Sequence, residues 1–257
     1  MKYIAAYHTD VGITKKTNQD SIAIKAVETP NGIVTFGIVC DGMGGLAKGE
    51  LASKEVIMAF CNWFDDQLVN DVAEDKFNEN NLTVQWNAII QKLNIKLGEY
   101  GRNNGLQLGT TISAILFYKD DFYIVHVGDS RIYQMNEFGV KQLTNDQTYV
   151  AREMAAGRMT VEQAKTDPRR SVLLQCVGAS PVVVPEFSKG KALENTVYMF
   201  CSDGFRHQIS DDEMYEKIGP VACVDEEAIK YGCIYLTELV KKRKETDNIT
   251  VGVVKTI

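Results

Sequence analysis

The sequence predicts a globular fold of mixed α and β structure with antiparallel strand pairing, and three observations carry the prediction. The 257 residues are 45% apolar and 24% charged with only five prolines, enough apolar material for one sizeable core. Seven runs rich in β-branched and aromatic residues are joined in places by hairpin-sized gaps. Three further blocks show helical periodicity.

The strand runs are Tyr3 to His8, Ser21 to Val27, Gly32 to Val39, Thr110 to Tyr118, Phe122 to Val127, Val197 to Cys201 and Ile249 to Val254. Lys119-Asp120-Asp121 separates two of them, and Asn136-Glu137-Phe138-Gly139 is turn-like after another short run, so neighbours are expected to pair antiparallel. The helical blocks are Glu50 to Leu68, Val84 to Tyr100 with Ile89, Ile90, Leu93 and Leu97 on one face, and Asp225 to Lys244. The last begins with acids and ends in Lys241-Lys242-Arg243-Lys244, the polarity the helix dipole favours, so the basic run reads as a solvated helix end. Asn145 to Pro185 reads as an insertion with one or two short helices, broken at Asp167-Pro168.

A formal net charge of −6 disfavours nucleic acid and anionic membranes, which need clustered Lys and Arg. Met1 to Ile4 lacks the apolar core of a signal peptide, and no apolar run approaches the roughly 20 residues of a membrane span. The expectation is a cytoplasmic chain. Cys40, Cys61, Cys176, Cys201, Cys223 and Cys233 form no CxxC pair and read as reduced and buried.

The functional signal is what borders the strands. Asp41 follows Gly32 to Val39, Asp129 follows Phe122 to Val127, and Asp203 follows Val197 to Cys201, while Asp20 and Asp247 precede strands. One Asp-Gly at a strand end is ordinary turn chemistry. Five acids that an antiparallel arrangement can bring to one rim are another matter, because they repel unless a cation neutralises them. An all-oxygen donor set selects Mg²⁺ or Mn²⁺ over Zn²⁺. Two such ions about 4 Å apart can activate a bridging water and hold phosphate oxygens, which also gives an acidic chain a way to attract an anion. Gly42 leaves its carbonyl free to face an ion, and Gly44 and Gly45 let the chain turn into the helix near Glu50.

At this point the chain resembles a known family, the metal-dependent serine/threonine protein phosphatases of type 2C, in their bacterial form. The likeness runs through Thr9-Asp10-Val11-Gly12, Asn18-Gln19-Asp20, Asp41-Gly42-Met43-Gly44-Gly45, Gly109-Thr110-Thr111, Val127-Gly128-Asp129-Ser130-Arg131, Leu143-Thr144, Asp146, Gly178, Ser202-Asp203-Gly204 and Asp247-Asn248. It implies an α+β fold, a four-layer α-β-β-α sandwich of two antiparallel sheets flanked by helices, in a single catalytic domain spanning 1–257 with a flap at about 145–178. It implies hydrolysis of phosphoserine and phosphothreonine by a water activated by two or three Mn²⁺ or Mg²⁺ ions, without a covalent nucleophile. Carried over residue by residue, Asp41 resembles the carboxylate bridging two ions, with the Gly42 carbonyl on one of them. Asp203 and Asp247 resemble ligands of the other, Asp20 an outer ligand, and Asp129 with Asp203 the pair that holds a third.

Three positions depart from the family pattern. Lys15 stands where an Arg usually binds the substrate phosphate, and an ammonium cannot form a bidentate clamp. Gln19 replaces a common acid, and Met43 a His that donates a proton in animal members. His8 and His126 read as core residues within strands, and His207 as a surface or loop residue. The implied partners are phosphorylated proteins, a Ser/Thr kinase among them, with the chain itself a monomer.

Other classes fit less well. A cysteine-based phosphatase needs Arg six positions after its Cys, but Leu46, Gln67, Val182, His207, Ile229 and Leu239 stand there. Gly44 to Gly49 mimics P-loop glycine spacing, yet Glu50 follows where Lys belongs. The remaining alternative is a noncatalytic phosphatase-like module that binds a partner, which loss of the aspartates would favour.

Overall fold

The computed structural model describes residues 1–43 and 48–257; Gly44, Gly45 and the start of the P-loop-like stretch lie outside the described residues. Two antiparallel sheets face one another. The first runs in the order Tyr3–Asp10 (β1), Ile249–Thr256 (β11), Val197–Cys201 (β10), Arg131–Asn136 (β7) and Gly139–Gln142 (β8). The second runs Asp20–Thr29 (β2), Gly32–Met43 (β3), Ile112–Tyr118 (β5), Asp121–Val127 (β6) and Glu186–Lys191 (β9), with Gly109–Thr110 (β4) paired to the end of β3.

Gly49–Trp63 (α1) continues through a π-turn at Phe64–Leu68 into Val69–Ala73 (α2), and together with Glu79–Asn104 (α3) covers the second sheet. Tyr149–Ala155 (α4) and Val161–Thr166 (α5) lie in the segment between β8 and β9. Asp203–Arg206 (α6), Asp211–Ile218 (α7) and Glu226–Lys242 (α8) pack on the first sheet. The result is the expected four-layer sandwich.

Three apolar layers hold it. Phe36 of β3 meets Phe60, Trp63, Phe64 and Trp86 on the helical side, with ring centroids 5.9–6.5 Å from Phe36. Between the sheets lie Val39, Ile115, Phe117, Ile132, Tyr198, Phe200 and Val254. Because β3 and β5 are covered on both faces, their sequences are continuous apolar runs rather than alternations. Phe200 fills a notch made by Gly37 of β3 and Gly252 of β11, where a Cβ would strike its ring.

The structure corrects several boundaries. β3 runs four residues past Val39 because Gly42 and Met43 pair with Thr110 and Gly109, so Asp41 sits inside a strand rather than after one. The expected run from Thr110 to Tyr118 is broken at Thr111. Asp121 pairs with Tyr118, leaving a two-residue turn in which Lys119 adopts φ 55°. α3 is longer than its apolar stripe, from a side-chain cap at Asn78 to a left-handed Gly105. Cys61 is only half-buried, whereas the other five cysteines are buried. His8 is half-buried at the surface of β1 rather than in the core.

Candidate metal centre

Two adjacent strands set the first pair of carboxylates. Asp20 opens β2 and is the register partner of Asp41 in β3, so both project from the same end of the second sheet. Asp41 is fixed by its backbone. Its N–H donates to Thr111 Oγ1 at 2.9 Å, and its carbonyl accepts from the Thr111 N–H and Thr110 Oγ1, each at 2.9 Å. Thr111 in turn shares a 2.7 Å hydrogen bond with Ser130, which follows Asp129. Gly42 donates its N–H to the Gln19 carbonyl, and a side chain there would collide with the backbone of Gln19 and Gly49. Close approach therefore requires glycine.

The first sheet supplies the rest. Asp203 caps the end of β10 as the first residue of α6, and Asp247 lies two residues before β11, the neighbour of β10. Gly204 faces the Asn248 carbonyl and the Asp247 side chain with no room for a Cβ. Ser202 Oγ donates to Asp20 Oδ2 at 2.7 Å and accepts from the Thr250 N–H at 3.1 Å, which pins the two sheets together at this rim. Asn248 anchors the loop before β2: its Oδ1 accepts from the Gln19 N–H, and its Nδ2 donates to the Val11 and Thr17 carbonyls.

Asp20, Asp129 and Asp203 are buried and Asp41 and Asp247 partly so, and the carboxylates act on one another. Burial, then Asp20, Asp203, Asp129 and Asp247, hold the Asp41 carboxyl well above the ordinary range. Asp20 is pushed up to about 7 by burial, with Asp203 and Asp247 adding and the Ser202 hydrogen bond opposing. Asp129 is likewise pushed up to about 7 by burial and by Asp203, against the charge of Arg206. Asp203 Oδ1 is buried with no hydrogen-bond partner. A buried carboxylate oxygen without a donor is costly, and a hard cation is the partner that suits it. No three His, Cys, Asp or Glu side chains among the described residues already converge tightly on one point, so the fit lies in the donor chemistry and the orphaned oxygen. On that basis the residues fit Mg²⁺ or Mn²⁺.

Several charged and polar neighbours surround the rim. Lys15 Nζ sits 3.1 Å from Asp247 Oδ1, both groups about two-fifths exposed. Arg131 forks onto Asp146 through Nε and Nη2, both at 2.7 Å, and burial does not stop that pairing from holding the Asp146 carboxyl below its ordinary value. Arg206, 11% exposed, lies beside the same carboxylate. His207 stands between Asp203 Oδ2 at 3.7 Å and Glu245 Oε2 at 3.6 Å, with its side chain 30% exposed, so the surface reading of it was incomplete. His126 is buried as expected, bonded to Ser113 Oγ at 2.9 Å and the Asn145 carbonyl at 3.0 Å. A cavity of about 1280 Å³ runs from Asp129 and Arg206 between the α4–α5 segment and residues 207–211 and 243–246.

Comparison with known proteins supplies context. The family profile described as Protein phosphatase 2C matches residues 10–225. The serine/threonine protein phosphatase PstP of Mycobacterium tuberculosis is 30% identical over 250 residues, covering 96% of this chain and 44% of its own length. The chain thus spans under half the length of that curated relative. Among solved structures, the serine/threonine phosphatase of S. agalactiae is 28% identical with a TM-score of 0.82, covering 100% of both chains. The catalytic domain of PstP in complex with 2 manganese ions is 27% identical with a TM-score of 0.78, covering 99% of both.

Proposed function

The chain belongs to the protein phosphatase 2C family, and on that premise we propose that it hydrolyses phosphoserine and phosphothreonine esters of proteins at a metal centre formed by the aspartate rim. The observation that carries the reading is the rim itself: Asp20 and Asp41 are register partners across β2 and β3, and Asp203 Oδ1 is buried without a hydrogen-bond partner, a donor set that a hard cation suits.

In this reading Asp41, the Gly42 carbonyl, Asp203 and Asp247 would hold the ions, with Asp20 as an outer ligand. Bound Mn²⁺ or Mg²⁺ supplies an activated water and polarises the phosphate. The chain does the rest. Thr110 and Thr111 fix the Asp41 backbone so that its carboxylate presents one orientation. Lys15, on the loop that Asn248 anchors, neutralises charge on the incoming phosphate as a single ammonium rather than a planar fork. His126 has both ring nitrogens engaged and is not a proton donor to the leaving group.

Residues 145–178 act as a flap, and the cavity beneath it is where the substrate peptide is selected. A cytoplasmic monomer acting on phosphorylated proteins, a Ser/Thr kinase among them, completes the reading; five buried thiols suit a reducing compartment. Among the described residues no helix is long and apolar enough to cross a membrane. The noncatalytic alternative is not favoured, since the relatives carry phosphatase names and Asp41, Asp129, Asp203 and Asp247 are all retained.

The test is direct. Purified protein should hydrolyse p-nitrophenyl phosphate and a phosphothreonine peptide with Mn²⁺, stop in EDTA, and lose at least about 100-fold in kcat on Asp41→Asn. Turnover that survives chelation would overturn the proposal.

A further inference from the structure

We propose that Arg206 is a built-in cation that takes the electrostatic place of a third metal ion at Asp129 and Asp203, so that the chain works with two ions. The inference rests on the metal-dependent reading above and concerns only this side of the centre. Arg206 ends α6, the four-residue helix that Asp203 begins, so the two side chains leave the same turn. Its Nη2 donates to the Asp129 carbonyl at 3.1 Å and lies 3.4 Å from Asp146 Oδ2.

Charge pairing around it is uneven. Asp146 already binds Arg131 through both carboxylate oxygens, so two guanidinium groups share one counterion. The surplus positive charge lies against the backbone of Asp129, a residue that is itself buried. Arg206 Nε is buried without a hydrogen-bond partner, so this guanidinium is held in place despite an unsatisfied donor. An arginine keeps its charge at every working pH. A divalent ion placed against Asp129 would meet that fixed charge across a partly dry interval, where Coulomb repulsion is far less screened than in water. His207 stands beside Asp203, its Nε2 3.7 Å from Oδ2. The side chains three and four positions after Asp203 thus set a fixed positive charge and an imidazole beside the residues that would grip a third ion.

The experiment counts ions rather than turnover. Metal-stripped protein is titrated with Mn²⁺ by calorimetry, with free and bound metal measured after equilibrium dialysis. Wild type should bind two ions, and Asp129→Asn should leave that number at two. Arg206→Gln should gain a third site at least about tenfold tighter than any further binding to wild type, Arg206→Lys should stay at two, and adding Asp129→Asn to Arg206→Gln should remove the gained ion. Three ions on wild type, reduced to two by Asp129→Asn, would overturn the inference while leaving the phosphatase reading intact. A folded Arg206→Gln protein that still binds two would also overturn it. If Arg206→Gln does not fold, wild type and Asp129→Asn decide the matter alone. No Mn²⁺ bound by any variant overturns the metal-dependent reading, and this inference with it.

Discussion

Asn248 uses every polar atom of its side chain on the loop between β1 and β2, binding Gln19, Val11 and Thr17. Neighbouring Asp247 is a proposed ligand, and Lys15 lies within the bound loop, so Asn248 ties the metal side of the site to its phosphate side. Asn248→Ala should therefore lower stability by about 2–4 kcal/mol, from three lost hydrogen bonds, and raise KM for a phosphopeptide; denaturant melts and steady-state kinetics check the two effects. Lys15→Arg should act oppositely, lowering KM several-fold at saturating Mn²⁺ with little change in kcat, because a planar fork can hold two phosphate oxygens. An unchanged KM would remove Lys15 from the phosphate site. The aspartates were legible in the sequence because each carries a local mark, a glycine or a strand boundary beside it. Arg206 and His207 carry no such mark, and Asn248, though it borders a strand, discloses no partner. Their roles arise from contacts with Asp129, Glu245 and Gln19, which lie 38 or more positions away in sequence and meet only after the sheets pack.

At the scale of elements, the central strands were readable because burial on both faces leaves unbroken apolar runs. β9 was not: Glu-Phe-Ser-Lys-Gly-Lys at the sheet edge is mostly polar, as edge strands are, and only its pairing with β6 makes it a strand. α7 was also missed, although its capping box of Ser210 and Glu213 was a signal that could have found it. The π-turn at Phe64–Leu68 left no mark in the apolar pattern. The packing of β10 against β3 and β11 yields a sharp expectation. Since Phe200 occupies the space that side chains on Gly37 and Gly252 would need, Gly37→Ala should cost about 1–3 kcal/mol by overpacking. Phe200→Ala should cost about 3–5 kcal/mol through the cavity it leaves. Urea unfolding of each variant measures both, and the double variant should cost less than the two changes summed, because removing the ring removes the clash.

For the whole molecule, the aspartate rim sets a pH dependence whose sign is unusual for carboxylates. In the absence of metal, Asp20 and Asp129 at about 7 and Asp41 above its ordinary value keep protons in the folded chain that the unfolded chain has already released. Between the ordinary value of 3.8 and those raised values the folded state binds more protons, so stability falls as pH rises, and the full penalty is present above the folded values. His207, raised, adds stability on the acid side that is likewise lost as pH rises, whereas His8 and His126, lowered by burial, oppose the trend. Asp146, lowered, loses its contribution only below the ordinary carboxylate range. EDTA-treated protein should melt at a higher temperature near pH 5.5 than near pH 8, and Mn²⁺ should raise the Tm more at the higher pH; a metal-free Tm that climbs from pH 5.5 to pH 8 would contradict the coupling. The contact between Lys15 and Asp247 has a temporal meaning as well. Paired with Asp247, Lys15 has less of its charge to offer a phosphate, and a half-exposed pair of this kind is weak enough for a divalent ion to displace. In the proposed reading, metal at Asp247 would release Lys15 to the phosphate, so inorganic phosphate should inhibit more strongly as Mn²⁺ approaches saturation.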